Sequence, residues 1–427
     1  MVKTLREKDP LNFQWVIVGT SFVTLALVYS TWYAFSVFFV ALLKEFNWSR
    51  SLGAGAFSLF VIVHGVIGPF VGGIVDRFGP KKIYIFGSIF LGIGLTLCSF
   101  ISNWWEFYIF FGIFAAIGVG SVGWVPNTTL IQLWFKEKRG LSMGIISSGV
   151  GIGIFLCVPA VQLLITRFGW RVAFRVMALS ISFTVILLAL LLVKKPPGTG
   201  ATRSLETSPR GMIGEEWASR RWTVREAIRT RPFLFLILSF FFASVTNSAV
   251  LAHHVAFFVD QGLNALFASY IVGLLGMVSI GAKILWGVLS DRIGREITYT
   301  LGIFCAICGM LLLVLYSYSS SSSIPYAYAL FFGMGYAVMA ALPPLITADF
   351  FEGQSFGAIF GMVQFANGLG SAVGAWFAGF LFDHTGSYIP VFLMMIGSVV
   401  FACFNVWKAA PRNAGSYNRQ RIFKVPS

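Results

Sequence analysis

Lys283 lies eight residues before Asp291 in the stretch GAKILWGVLSDRIGR (281–295), inside its apolar part. On a helix that separation is about 12 Å along the axis. An ammonium at that depth in an apolar medium costs a few kcal/mol. Either its four-carbon stem carries the charge toward the nearest polar boundary, or the cation is kept there to meet an anion. Other polar groups fall at comparable depths. His253 and His254 follow Asn247 and Ser248, Asn127 follows Pro126, Tyr336 lies in GMGYAVMAALPP, and His64 occupies a further apolar stretch, while Asp260 stands near the outer end of its own. Histidine titrates near neutral pH and can relay a proton. Adjacent residues are turned by about 100° around a helix, so at most one of His253 and His254 faces a common cavity. An amide or a phenol can hydrogen-bond a carboxylate, or tie two helices together. The expected substrate-binding set is Lys283, Asn127, His253 and Tyr336; the expected proton-coupling set is His253, His254 and Lys283.

Enzyme chemistry has no comparable support. No G-x-x-x-x-G-K-[ST] occurs, and no nucleophile–base constellation is visible, so no catalytic residue is expected. The five cysteines all lie in apolar segments, and the Cys305–Cys308 pair has no further ligands nearby. Neither a metal site, a cofactor nor a disulfide framework is expected. Asn47-Trp-Ser49 matches a glycosylation sequon that matters only in a secretory-pathway host.

The elements that hold these groups are apolar and long. The 427 residues are 57% hydrophobic and 11% charged, against roughly 25% charged in a soluble domain. Apolar spans lie near 14–43, 52–75, 82–102, 105–134, 140–165 and 172–193, then near 233–259, 266–290, 297–317, 325–347, 355–381 and 388–408. Each approaches or exceeds the roughly 20 residues that cross a bilayer. The basic start MVKTLREK runs into the first span with no small-residue cleavage site. With the N-terminus inside, 25 of the 31 Lys and Arg fall in cytoplasmic segments and tails. That bias places both termini in the cytoplasm. The net charge of +15 is then a matter of topology and anionic lipid, not of nucleic acid. The expected fold is an all-α membrane protein of twelve transmembrane helices in two six-helix pseudo-symmetric halves. It divides into an N-terminal half (1–193), a cytoplasmic linker with a short amphipathic helix (194–232), a C-terminal half (233–410) and a basic tail (411–427). In the linker, Thr223 and Glu226 form a capping box and Pro232 suits the first turn of the next span.

The two halves repeat. Gly72, Asp76, Arg77 and Gly79 match Gly287, Asp291, Arg292 and Gly294 at one constant offset. Gly118, Pro126, Gly140, Gly144, Gly151, Gly153 and Gly169 match Gly335, Pro343, Gly357, Gly361, Gly368, Gly370 and Gly386 at another. Parallel repeats place a substrate site between the halves, near the bilayer midplane. The glycines of SSGVGIGIF (147–155) and ANGLGSAVG (366–374) strip side chains from a helix face so that neighbours approach closely.

GGIVDRFGPKK (72–82) and WGVLSDRIGRE (286–296) both fit G-x-x-x-D-R-x-G-x-[KR]. The duplicated motif resembles the signature loop of the major facilitator superfamily, and the resemblance covers essentially the whole chain. It implies a gating latch of Asp76, Arg77, Gly79, Asp291, Arg292 and Gly294 that ties the halves together on the cytoplasmic side in the outward-facing state. WFKEKRGLSMGIISSGVGIG (134–153), the turn RFGWRVAF (167–174) and TVREAIRTRPF (223–233) are similar to the monocarboxylate transporters and the related oxalate/formate antiporters. In that group, span eight carries a basic residue eight positions before the motif aspartate, and this residue pairs with the anionic substrate; Lys283 holds that position. Three departures stand out: LNFQWVIVG (11–19) lacks the usual Gly/Trp-rich entry to span one, Ser279 replaces an aspartate, and span eleven has only Gln364 and Asn367 as polar groups in GAIFGMVQFANGLG. One intramembrane cation suits one carboxylate. The resemblance therefore implies a secondary transporter of a small organic monoanion, foremost a monocarboxylate, by alternating access with proton symport. An oxalate/formate-type antiporter and an exporter of amphipathic compounds are the alternatives. The bilayer of the plasma membrane (the inner membrane in a bacterium), a small anion and a proton are the expected partners of a monomer.

Overall fold

The computed structural model describes residues 10–135, 139–193, 223–319, 321–351 and 356–409. Among them are twelve helices long and apolar enough to cross a membrane, and no strand. Spans one to three are Pro10–Phe46, Arg50–Phe78 and Pro80–Cys98. Span four runs from Trp104 to Trp134 in pieces, and spans five and six are Arg139–Phe168 and Trp170–Leu191. Spans seven to twelve are Arg231–Asp260, Ala265–Ile293, Arg295–Tyr316, Ile324–Phe351, Phe356–Thr385 and Ile389–Ala409. Of the linker expected at 194–232, residues 194–222 lie outside the described residues, as does the whole tail expected at 411–427. In TVREAIRTRP the capping box is present: Thr223 Oγ1 accepts from the Glu226 N–H at 3.3 Å, and Glu226 Oε2 accepts from the Thr223 N–H at 3.0 Å. It opens the short helix Val224–Ile228.

The repeat written in glycines is a repeat of backbone geometry. Gly79 and Gly294 end spans two and eight at φ 82° and 95°. Only glycine takes that conformation without strain, and it lets the next helix start one residue later. Gly118 of span four packs on the Leu91 backbone of span three, and Gly335 of span ten packs on Ala306 of span nine. Gly153 of span five lies against the Ala26 carbonyl of span one, and Gly370 of span eleven lies against the Phe241 carbonyl of span seven. A methyl group at any of these four positions meets backbone or Cβ atoms.

Span four departs from the single helix expected at 105–134. It holds a π-helical stretch at Tyr108–Ala115 and breaks at Gly123 before resuming at Trp124. Pro126 has no N–H to give the Val122 carbonyl. The Asn127 side chain supplies it: Nδ2 donates to the Val122 and Gly123 carbonyls, both at 2.7 Å, while Oδ1 accepts from the Tyr84 hydroxyl at 2.6 Å. The equivalent Pro343 of span ten lies inside a continuous helix.

Asn127→Ala would leave two buried carbonyls and the Tyr84 hydroxyl short of partners. It is expected to destabilise the protein by about 2 kcal/mol. Thermal unfolding of the purified protein measures this, and an unchanged midpoint contradicts the capping role.

Candidate functional site

The two halves meet through spans two and eleven, five and eight, and one and seven. The turns at Gly79 and Gly294 mark one end of the bundle, here the motif end. At the opposite end the halves are sealed by one side chain. Arg50, the first residue of span two, donates to both oxygens of Asp260 at 2.8 and 2.6 Å, and to the Tyr388 hydroxyl at 2.7 Å. Its guanidinium lies 4.1 Å from the Phe382 ring centroid. Asp383 accepts from the N–H groups of Arg50 and Ser51 at 2.9 and 2.8 Å. Anionic caps suit a helix N-terminus. Nearer the midplane, Ser58 donates to the Ala372 carbonyl at 2.6 Å.

His253 belongs to this seal. Its Nδ1 is 2.9 Å from the Tyr388 hydroxyl and its Nε2 is 2.9 Å from the Ala375 carbonyl. The carbonyl can only accept, so Nε2 carries a proton. In the neutral ring Nδ1 then accepts from Tyr388. An unbroken chain runs from Asp260 through Arg50, Tyr388 and His253 to span eleven. His254 turns the other way and binds the Tyr328 hydroxyl at 2.9 Å. Both histidines are 1% exposed.

Toward the motif end the same interface opens. Residues 53–58 and 60–61 of span two are buried, whereas 62–68 are exposed or half-exposed. On the facing stretch of span eleven, Phe365 is 51% exposed. Gly65, Gly68, Gly144, Gly361 and Gly368 have no neighbouring atom where a Cβ would stand. Gly151 and Gly276, farther from the motif end of spans five and eight, are in tight cross-half contact with Ile280 and Ile154. The cleft between the halves is thus closed at one end and open at the motif end.

Lys283 lies one turn beyond Ile280, just inside the open region, and is half-buried. Its Nζ is 5.6 Å from the centre of the Tyr336 ring. The Tyr336 hydroxyl is hydrogen-bonded to Tyr33 of span one. A cation of the C-terminal half is thereby linked through one phenol to a phenol of the N-terminal half. Among the described residues no carboxylate pairs with Lys283. Of the four residues expected to bind substrate, Lys283 and Tyr336 come together. His253 is taken into the seal, and Asn127 spends its amide on the span-four break. Tyr33 went unremarked as a partner because nothing local pairs it with a residue some three hundred positions away.

Among the described residues, the motif side chains make no bond between the halves. Asp291 pairs with Arg295 at 2.6 Å, and Arg295 reaches on to Asp349 of span ten at 3.1 Å. All three belong to the C-terminal half. Arg77 and Arg292 are exposed. The side chain of Asp76 lies outside the described residues.

Comparison with known proteins follows the same lines. The Major Facilitator Superfamily family description matches residues 21–352. Monocarboxylate transporter 13 of Bos taurus is 24% identical over 93% of this chain and 92% of its own length. Monocarboxylate transporter 12 of Rattus norvegicus is 24% identical over 91% of this chain and 83% of its own. Among solved structures, a bacterial homologue of the human lysosomal transporter Spinster, in an inward-facing and unoccupied conformation, superposes with a TM-score of 0.72. It covers 94% of this chain and 97% of its own at 15% identity, a likeness of fold.

Replacing Arg50 with Ala removes the seal's central donor and leaves the Asp260 carboxylate and the buried Tyr388 hydroxyl without it. Labelling of a cysteine placed at Phe39, beside His253, by a membrane-impermeant thiol reagent from the Arg50 side is expected to rise severalfold in a cysteine-free background. Unchanged labelling contradicts the seal. The matched family, the twelve spans and the fold agree: this chain is a multi-pass membrane transporter, without enzymatic activity, that belongs to the major facilitator superfamily.

Proposed function

We propose that this transporter carries a small organic monoanion, foremost a monocarboxylate, by alternating access with proton symport. The observation that carries the reading is Lys283. It is a cation without a carboxylate partner among the described residues, at the closed limit of the cleft, against a tyrosine bridged to the opposite half. A carboxylate entering the cleft supplies the missing counter-charge, and the Tyr336–Tyr33 pair offers hydroxyls to its second oxygen. Lysine acts here as a compact point charge, without the bidentate fork of arginine. A single such charge suits one carboxylate. Relatives named monocarboxylate transporters support the same substrate class.

The basic bias of the segments at the motif end makes that end cytoplasmic, so the conformation is open inward. The Arg50 seal is then the outer gate, and Asp76, Arg77, Gly79, Asp291, Arg292 and Gly294 close the cytoplasmic side in the opposite state. His253 and His254 are held in hydrogen bonds near the outer gate. A proton added at Nδ1 of His253 turns Tyr388 from donor to acceptor for two cations, so His253 acts by loosening that gate. The reading places the protein in the plasma membrane, or the inner membrane of a bacterium, as a monomer.

In proteoliposomes, Lys283→Gln is expected to abolish uptake of labelled acetate, lactate and pyruvate while expression and folding stay intact. Thermal stability of the wild type should rise with the transported anion, by about 2.7 kcal/mol at a hundredfold excess over Kd, and that rise should vanish in Lys283→Gln. Uptake of unchanged affinity in the variant overturns the assignment.

A further inference from the structure

The groups already assigned leave one titratable side chain of the central cleft unused. His64 lies midway along span two, fourteen residues from each end, or about 21 Å from either by helical rise. It is half-buried, in the stretch where span two passes from buried to open. The ring is set in an aromatic frame. Trp32 meets it edge-on at 5.2 Å, Tyr29 at 6.3 Å, and Phe60 lies parallel at 6.4 Å. Gly120 of span four packs closely on this turn of span two, where a Cβ would meet Ile67. His253 and His254 are both hydrogen-bonded through the ring, whereas His64 has no hydrogen-bond or ion-pair partner among the described residues. No carboxylate, lysine or arginine among the described residues faces it from spans one, two or four; Tyr29 is the one titratable neighbour.

The repeat gives this position a meaning. At the offset that maps Asp76 onto Asp291, His64 falls on Ser279 and Gly68 falls on Lys283. Ser279 is spent on its own helix, donating to the Gly276 carbonyl at 2.7 Å. Spans two and eight therefore each bring one ionisable group to the midplane, one helical turn apart in the repeat. The N-terminal half brings a base with a free ring nitrogen, and the C-terminal half brings a cation. Tyr29 and Tyr33, four residues apart on span one, stand between them, one against His64 and the other bonded to Tyr336 beside Lys283.

We infer that His64 is the proton site of this transporter: its free ring nitrogen takes up the proton that crosses with the anion held at Lys283. This rests on the proposed monoanion symport. The proton binds as the anion arrives, so the cleft adds one positive and one negative charge together. An imidazolium there is otherwise left without a counter-ion, in a cleft that already holds the charge of Lys283, which the apolar surroundings oppose. Among the described residues the aromatic rings of Trp32, Tyr29 and Phe60 pack around this position and bring no counter-charge to it. In the emptied transporter the proton leaves with the anion, and the neutral ring returns.

The test is transport by the full chain in proteoliposomes, with labelled acetate, lactate and pyruvate as probes. His64→Gln should lose uptake driven by a proton gradient about tenfold or more, while thermal stabilisation by the anion bound at Lys283 persists. A merely structural role lowers both together, and that result overturns the inference. Gradient-driven uptake that survives in His64→Gln also overturns it, while leaving the monoanion reading intact. If the wild type transports none of the probes, the monoanion reading fails and the inference falls with it. Should His64→Gln not fold, magnetic resonance of isotope-labelled histidine in the wild type decides. The resonance assigned to His64 should change protonation on addition of the transported anion, and a ring that stays neutral throughout overturns the proposal.

Discussion

Two apolar halves in a bilayer gain nothing from burying apolar surface against each other, because lipid is as apolar as their side chains. Every other feature of this interface follows from that constraint. Association must come from close packing and a few polar bonds, and both are concentrated at one end. Gly151 and Gly276 let spans five and eight touch. Arg50 gathers Asp260, Tyr388 and, through its own N–H, Asp383. Such an interface can be undone. A hydrophobic interface in water would resist separation over its whole area, whereas this one opens when a handful of bonds exchange for others. The open end shows the complement, with glycines of spans two, five and eleven facing empty space, ready to be packed when the opposite end releases.

The same apolar setting gives the central charges their selectivity. A lysine near the bilayer midplane costs about 3 kcal/mol on the lenient insertion scale, and Lys283 has no ion-pair partner among the described residues to offset it. An anion that reaches it relieves that cost, so binding and charge compensation are one event. The pairing of Tyr336 with Tyr33 adds a contact that exists only while spans one and ten are side by side. In the proposed binding mode a substrate that meets both phenols is coupled to the relation between the halves. This is how a ligand comes to bias a conformational equilibrium: it binds one arrangement of the halves better than the other.

Much of the architecture was legible in the sequence because it is written in local terms. Twelve apolar spans follow from length and hydropathy. Gly79 and Gly294 announce turns that only glycine makes easily, and the repeated glycines predict backbone contacts that occur at matching places in both halves. Lys283 was legible because a charge inside an apolar run is conspicuous. Asn127 looked equally exposed to function, yet the proline before it had already created the need that its amide meets. The signal was present as the Pro126-Asn127 pair, in a span whose backbone must satisfy itself. The seal was not legible. Arg50 read as one cation in a turn, and only the fold brings Asp260, Asp383 and Tyr388 to it from span seven, span eleven and the turn before span twelve. Tyr33 is of the same kind, ordinary in its own helix and informative only by its neighbours, whereas His64 stood out as a polar group in an apolar run and its neighbours add the frame around it.

Placing the proton and the anion on different halves, as the proposed symport does, has a mechanical consequence. If both charges lay on one half, the pair could be neutralised without reference to the other half, and an empty or half-loaded protein would switch as freely as a loaded one. With His64 on span two and Lys283 on span eight, a lone proton leaves two like charges in one apolar cleft, and a lone anion leaves the N-terminal site unfilled. The protonated ring and the bound carboxylate attract each other across the cleft between the halves, so full occupancy favours their approach. Closure at the motif end requires spans two and eleven to pack where Gly65 and Gly368 now face space, and that closure draws span two, with His64, inward. Asymmetric charge on a symmetric frame thus ties the movement of the halves to the presence of both ions, which is the condition for symport.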